Sequence, residues 1–256
     1  MRELATVPSN EILDHLLHNP YSKGWHFGNG DPEFWRYGEA LLRPNGRVLD
    51  IGAGIGRTSL FFAMHGMHVT ALDNDASALS RLDELSMALQ DTISGSVTGV
   101  EGDMYTDDFG TEQYNTVVMA QNLVHVPSKE MALGVLDKGW QSLRAGGHIW
   151  VRAGGKEDSS YEDLLWKNGK EHDEADVLEE LCGCSGEARY DPILFFGQTD
   201  LLQYFVRKGA RIVHSQLLPQ ENHANIMFGE DYNDGMYIER SGMVSVIAQK
   251  GQQGES

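Results

Sequence analysis

A chain of 256 residues suffices for one large domain or two small ones, and an apolar fraction of 41% with five Trp, nine Tyr and nine Phe supplies a buried core. Its 20 Lys and Arg stand against 38 Asp and Glu, a net charge of −18 with no basic cluster, which argues against nucleic acid as a partner. No apolar run approaches the roughly 18 residues of a membrane span, and the start MRELATVPSNEILDHLL lacks a signal's basic and unbroken apolar parts, so a cytoplasmic protein with no membrane partner is expected.

Ser9 and Asn10 are placed to cap a first helix over 9–18, where Ile12, Leu13, Leu16 and Leu17 form an apolar stripe. The aromatic and glycine-rich stretch YSKGWHFGNGDPEFW follows, then a helix through Trp35, Leu41 and Leu42 that ends at Pro44-Asn45-Gly46. From here strands and helices alternate. RVLDI (47–51) is a strand, GRTSLFFAMHG (56–66) a helix, HVTALD (68–73) a strand and ASALSRLDELSMALQ (76–90) a helix. SVTGVEGD (96–103) and YNTVVMAQ (114–121) are strands three and four, 128–147 a helix, and HIWVRA (148–153) strand five. Such alternation implies parallel pairing through crossovers, hence an open α/β sheet with helices on both faces.

After Ala153 the rhythm stops. Residues 154–197 form an acidic insertion, in which 157–180 carry ten Asp or Glu and two Lys, a pattern read first as a solvated surface. TDLLQYFVRKGA restores a helix, followed by a strand at 211–218, a long loop and a last strand at 243–250. Strands joined without a helix pair antiparallel. The expected organisation is one domain over 1–250: an N-terminal helical lid (1–43), a core (44–153), the insertion (154–197) and the rest of the sheet (198–250). The tail 251–256 is expected to be disordered. Cys182 and Cys184, separated by one residue, are read as reduced thiols, and no metal site is expected.

In sheets of this kind ligands bind beyond the carboxyl ends of the strands. There LDIGAGIGR places Gly52, Gly54 and Gly56 at alternate positions. Two ligands compete for the loop. A dinucleotide asks for GxGxxG, but Arg57 stands at its third glycine, and Asp50 sets a carboxylate where a pyrophosphate would come. S-adenosylmethionine, with its sulfonium and ammonium, suits that carboxylate better. Asp73, closing strand two, is placed to accept both hydroxyls of a ribose, which serves either ligand. Asp103 and Met104 after strand three offer a carboxylate to an exocyclic amine and an apolar side chain to an adenine face.

Taken together, VLDIGAGIGR, the strand ending in Asp73, GDM, VVMAQNLVHV and LRAGGHIWV resemble the successive motifs of class I S-adenosylmethionine-dependent methyltransferases. The resemblance is close over about 20–153 and in pattern only over 198–250. YSKGWHFGNGDPEFW and GRTSLFFAMHGMHVTALDND are most similar to the small-molecule methyltransferases related to tellurite-resistance proteins. The resemblance implies a Rossmann-like doubly wound seven-stranded sheet of order 3-2-1-4-5-7-6 with its last strand antiparallel. It also implies that Gly52, Ala53 and Gly54 bring the backbone to the methionine part of the cofactor, with Asp50 oriented toward its ammonium directly or through water. Asp73 would hold the ribose, Asn74 would pack near the adenine, and Asp103 with Met104 would contact the base. Gln121 and Asn122 follow strand four, where members of the family contact the cofactor and often the substrate, and Arg57 holds a place common in the tellurite-related group.

Methyl transfer is an in-line displacement, and a base is required only when the nucleophile arrives protonated. Candidate catalytic residues are His125 after strand four and Tyr21 and His26 in the N-terminal stretch, with Trp25 and His223 as further substrate contacts. The expected partner is a small-molecule methyl acceptor, and the expected assembly a monomer or homodimer. Two other readings stay open: a protein that binds adenosylmethionine without transferring methyl, as a lyase or regulator, and a dinucleotide-dependent oxidoreductase.

Overall fold

The structure is a computed structural model and describes residues 40–120, 122–126, 128–155, 195–218 and 243–252. The expected helix at 9–18, the aromatic stretch, most of the helix through Trp35, nearly all of the acidic insertion, the loop 219–242 and residues 253–256 lie outside them.

Short apolar runs that must be covered on both faces make the strands. They are β1 (Arg47–Ile51), β2 (His68–Asp73), β3 (Ser96–Glu101), β4 (Tyr114–Ala120), β5 (Leu143–Gly155), β6 (Phe195–Phe196), β7 (Arg211–Leu218) and β8 (Met243–Gln249). Between them stand α1 (Arg57–Met64), α2 (Ala76–Ala88), a short 3-10 helix (Asn122–His125), α3 (Lys129–Ser142) and α4 (Gln198–Arg207). Two of the helices, α2 and α3, start where a side chain satisfies their first N–H groups. Asp75 accepts from Ser77 and Ala78 ahead of α2, and Ser128 from Met131 ahead of α3.

The sheet runs β3-β2-β1-β4-β5-β8-β7, with β6 beside the end of β5. With the two-residue β6 set aside, this is the expected order 3-2-1-4-5-7-6. Strands β1 to β5 pair in parallel, and β8 is antiparallel to both β5 and β7. Two boundaries differ from the sequence reading. Segment 143–147, expected as helix, is already strand, because Gly146 takes φ +74° and the backbone of 146–147 exchanges hydrogen bonds with Lys250. Phe195–Phe196, expected within the insertion, pairs in parallel with Gly154 and Gly155 and so closes onto the sheet.

Alternation along the strands sorts the core into two faces. Leu49, Ile51, Val117, Met119, Ile149, Val151, Val244 and Val246 turn to one face and pack with Val135, Leu136 and Trp140 of α3 and Leu201 and Phe205 of α4. Val48, Val118, Trp150 and Ile247 turn to the other, against Phe61 and Phe62 of α1. Leu79, Leu82 and Leu85 of α2 pack with Leu60 of α1 and Ala71 of β2. Helices on both faces leave the carboxyl ends of the parallel strands as the open edge.

Candidate functional site

Four neighbouring strand ends, β3, β2, β1 and β4, build the site. The β1 strand breaks at Gly52, and three successive glycines turn with φ of +69°, +53° and +87° at 52, 54 and 56, values that disfavour any residue with a Cβ. Each has a different neighbour. A Cβ on Gly56 would collide with Leu82, so this glycine lets α2 press against the start of α1. It performs the helix-packing task that the dinucleotide pattern assigns one position later, at Arg57. A Cβ on Gly52 would come within 2.6 Å of Asn122 Cβ, whereas one on Gly54 would meet nothing within 4 Å among the described residues. On its Cβ side, then, Gly54 is free of the described residues at the strand ends.

Asp73 holds this loop to the next strand. Its Oδ2 accepts from the Gly54 N–H at 2.7 Å, its Oδ1 from Asp75 N–H at 2.9 Å, and the N–H groups of Gly52 and Ala53 both donate to Leu72 O. Each carboxylate oxygen keeps acceptor capacity for a further donor. Exposed Asn74 follows at once. The β3 end is tied in through Gly102 N–H, which donates to Asp73 O at 2.9 Å. Asp103 Oδ1 accepts from Tyr105 N–H at 2.7 Å, and Asp107 Oδ2 from Asp103 N–H at 2.9 Å, which sets the turn carrying Met104.

Asp50 and Arg57 sit below the loop. The Asp50 side chain is 1% exposed, and Ser59 Oγ donates to its Oδ2 at 2.7 Å from within α1. Burial pushes this carboxyl up to about 7, against the pull of the Ser59 hydrogen bond and the Arg57 charge. Arg57 is half-buried, and burial lowers its guanidinium to about 10 while Asp50 opposes that, so it is a cation at neutral pH. The pair supports the loop from the α1 side.

Sequence reasoning gave two residues here too little weight. Ser59, nine residues beyond Asp50, is the donor that the buried carboxylate requires. Asn122, expected from the resemblance alone as a contact position after strand four, donates from Nδ2 to Ile51 O at 2.6 Å and stands 3.9 Å from Met104 Sδ, while its own Oδ1 is buried and meets no donor among the described residues. The signal for Asn122 was a polar residue in an otherwise apolar run, VVMAQNLVHV. The structure brings together Asp50, Gly52, Ala53, Gly54, Arg57, Asp73, Asn74, Asp103 and Met104. His125 is in the 3-10 helix by backbone alone, and Tyr21, Trp25, His26, Gln121 and His223 lie outside the described residues.

Among the described residues, a loop free on the Cβ side of Gly54, an acid at the end of each of β2 and β3, a thioether beside them and a buried acceptor without a donor fit a ligand with ribose hydroxyls, an apolar aromatic base and an amine. Among the described residues no group of three or more His, Cys, Asp or Glu is placed to hold a metal ion, and no helix is long and apolar enough to cross a membrane.

Residues 48–147 match the family described as methyltransferase domain. Sterol 24-C-methyltransferase erg-4 of Neurospora crassa is 28% identical over 166 residues, which are 59% of this chain and 42% of that protein. The chain thus spans under half the length of that curated relative. Among solved structures, a SAM-dependent methyltransferase of Methanosarcina mazei aligns with a TM-score of 0.62 at 18% identity, covering 84% of this chain and 97% of the other. Magnesium protoporphyrin IX methyltransferase of Synechocystis PCC 6803, solved with bound SAH, aligns with a TM-score of 0.58 at 16% identity, covering 93% and 91%.

Proposed function

We propose, from the premise that this chain belongs to the class I S-adenosylmethionine-dependent methyltransferases by its residues 48–147 and by its sheet order, that it transfers a methyl group from S-adenosylmethionine to a small-molecule acceptor. One observation carries the reading: the glycine loop, Asp73 and the Asp103–Met104 turn are hydrogen-bonded into one edge across β1, β2 and β3.

Within that edge each residue has a task. The Gly52–Gly54 backbone takes the methionine part, Asp73 the ribose hydroxyls, and Asp103 and Met104 the adenine, with Asn74 beside it. Asp50 and Arg57 keep the loop in shape from beneath. When bound, the cofactor supplies a methyl group already activated on a sulfonium. The chain's part is to hold donor and acceptor in line and exclude water, a positioning effect on the order of 7–11 kcal/mol. His125, Tyr21 and His26 are the candidates for taking a proton from an acceptor that arrives protonated, and Gln121 for contacting cofactor and substrate together. The sterol substrate in the name of the Neurospora relative agrees with a small organic acceptor.

Calorimetric titration with S-adenosylhomocysteine on the native protein and on Asp73→Ala tests the reading. Micromolar binding that the substitution weakens at least about tenfold, ~1.4 kcal/mol, supports it. A folded native protein that does not bind overturns it and returns attention to dinucleotides. Product that forms only when an acceptor is present separates a transferase from a lyase.

A further inference from the structure

The end of the sheet opposite the glycine loop gathers a second polar group. Register sets Thr116, His148, Gln249 and Arg211 side by side on β4, β5, β8 and β7, and residues in one row turn to one face with about 4.7–4.9 Å between strands. It is the face of α1, because Trp150, two residues along β5 from His148, packs with Phe61 and Phe62. Arg43 reaches the same row from the chain ahead of β1, where Thr116 Oγ1 donates to Leu41 O at 3.0 Å. His148 is 2% exposed, whereas Arg43 and Arg211 are exposed, and both lie close enough to act on its charge.

Charge and hydrogen bonding are both incomplete there. Arg43 spends Nη1 on Leu42 O, and Arg211 spends Nε and Nη2 on Gln249 Oε1. Neither pairs with a carboxylate among the described residues, although the chain carries 38 acids against 20 Lys and Arg. A guanidinium has five N–H donors, so each keeps donors in hand. His148 Nδ1 is buried without a hydrogen-bond partner among the described residues, a rare state for a buried polar atom. Burial pushes this imidazole down to about 4, with Arg43 and Arg211 adding to the effect, so it is neutral and either ring nitrogen can carry its one N–H. Donors from three directions with no carboxylate among them suit a group whose atoms all accept. We propose that Arg43, His148 and Arg211 form a binding site for a phosphate-type oxyanion, free or as the end group of a small molecule. Its outer oxygens accept from the two guanidinium groups, whose planar forks match them, and its inner oxygen accepts from Nδ1–H. Arg43, held by one side-chain hydrogen bond, turns to admit it. The site lies at the other end of the strands from Gly54 and Asp73 and does not rest on the adenosylmethionine reading.

Inorganic phosphate and phenyl phosphate, titrated calorimetrically at constant ionic strength, test the site. The native protein should bind inorganic phosphate saturably, and Arg43→Gln and Arg211→Gln should each weaken it at least about fivefold. Arg144→Gln removes an exposed cation whose Nε donates to Glu112 O, outside the cluster, and should leave binding within about twofold. His148→Phe keeps a ring but removes the inner donor, and should also weaken phosphate about fivefold. The arginine variants, altered at exposed positions, decide the matter if it does not fold. Phenyl phosphate bound at least as tightly as phosphate assigns the end group of a small molecule, and its exclusion assigns the free ion. A native protein without saturable phosphate binding overturns the inference. So does equal loss in Arg144→Gln, Arg43→Gln and Arg211→Gln, which would mean that phosphate only screens a positive surface.

Discussion

The two faces of the sheet are built on different principles. On the face covered by α3 and α4 the buried strand residues are hydrocarbon, from Leu49 and Ile51 through Val117 and Met119 to Val151, Val244 and Val246. On the face covered by α1 the same strands turn Asp50, Thr116, His148, Arg152 and Ser245 inward, and all five are buried. Thr116 Oγ1 donates to Leu41 O at 3.0 Å and Trp150 Nε1 to Ser245 Oγ at 3.0 Å. Burial pushes His148 down to about 4, with Arg43 and Arg211 adding to the effect, and Arg152 down to about 9. Hydrocarbon packing supplies cohesion, whereas buried polar groups cost desolvation and hold a place when they fix geometry. Here the polar face is also the one that carries the glycine loop and its supports.

If this division holds, the dry face should govern stability alone. Phe205→Ala, at a fully buried position of α4, should cost about 3–5 kcal/mol in denaturant unfolding and leave S-adenosylhomocysteine affinity unchanged in the fraction that folds. A shift in affinity would break the comparison.

The polar face should instead show in pH. Asp50 keeps its proton up to about 7 in the folded chain and releases it near 4 when unfolded, so folded molecules bind the extra proton across that window. Stability from this group is present below about pH 4 and lost as pH rises through 7, up to about 4 kcal/mol in all. Asp50→Asn should remove that part of the slope when melting temperatures of variant and native protein are compared from pH 4 to 8. An identical slope would mean that the Arg57 charge keeps Asp50 ionised.

Gly56→Ala tests the seam between α1 and α2, where a methyl would strike Leu82 and the backbone holds φ +87°. A loss of about 2–3 kcal/mol in urea unfolding is expected, together with weaker cofactor binding because the loop must shift. The smallest effect belongs to Ser245→Ala. Removing the acceptor of the Trp150 indole N–H should cost about 1 kcal/mol in the same assay, with no change in binding.

Much of the fold was legible because strand and helix periods are local. RVLDI, HVTALD and the glycine loop announce a strand, a turn and a helix within a few residues of their observed bounds. The segment 143–147 was misread because LRAGG continues an apolar helical pattern, and only the long-range pairing of 146–147 with Lys250 draws it into the sheet. Phe195–Phe196 carried no turn or periodic signal, since two residues gain strand character only from the partner at Gly154. In the site, Asp73 and Asp103 were readable as acids closing strands. That Asp73 spends both oxygens on backbone N–H groups is a property of the assembled loop.

By itself, then, the sequence determined the order of strands and helices, the glycine loop and the acids that follow each strand, because these depend on neighbours in the chain. Only the tertiary structure decided that Asp50 is buried with Ser59 as its hydrogen-bond donor, that Gly56 makes room for Leu82, and that Asn122 spans from β4 to the end of β1. Those relations join residues 9, 26 and 71 positions apart, and nothing in local propensity encodes which distant side chain will fill a gap, satisfy a carboxylate or leave one oxygen without a donor.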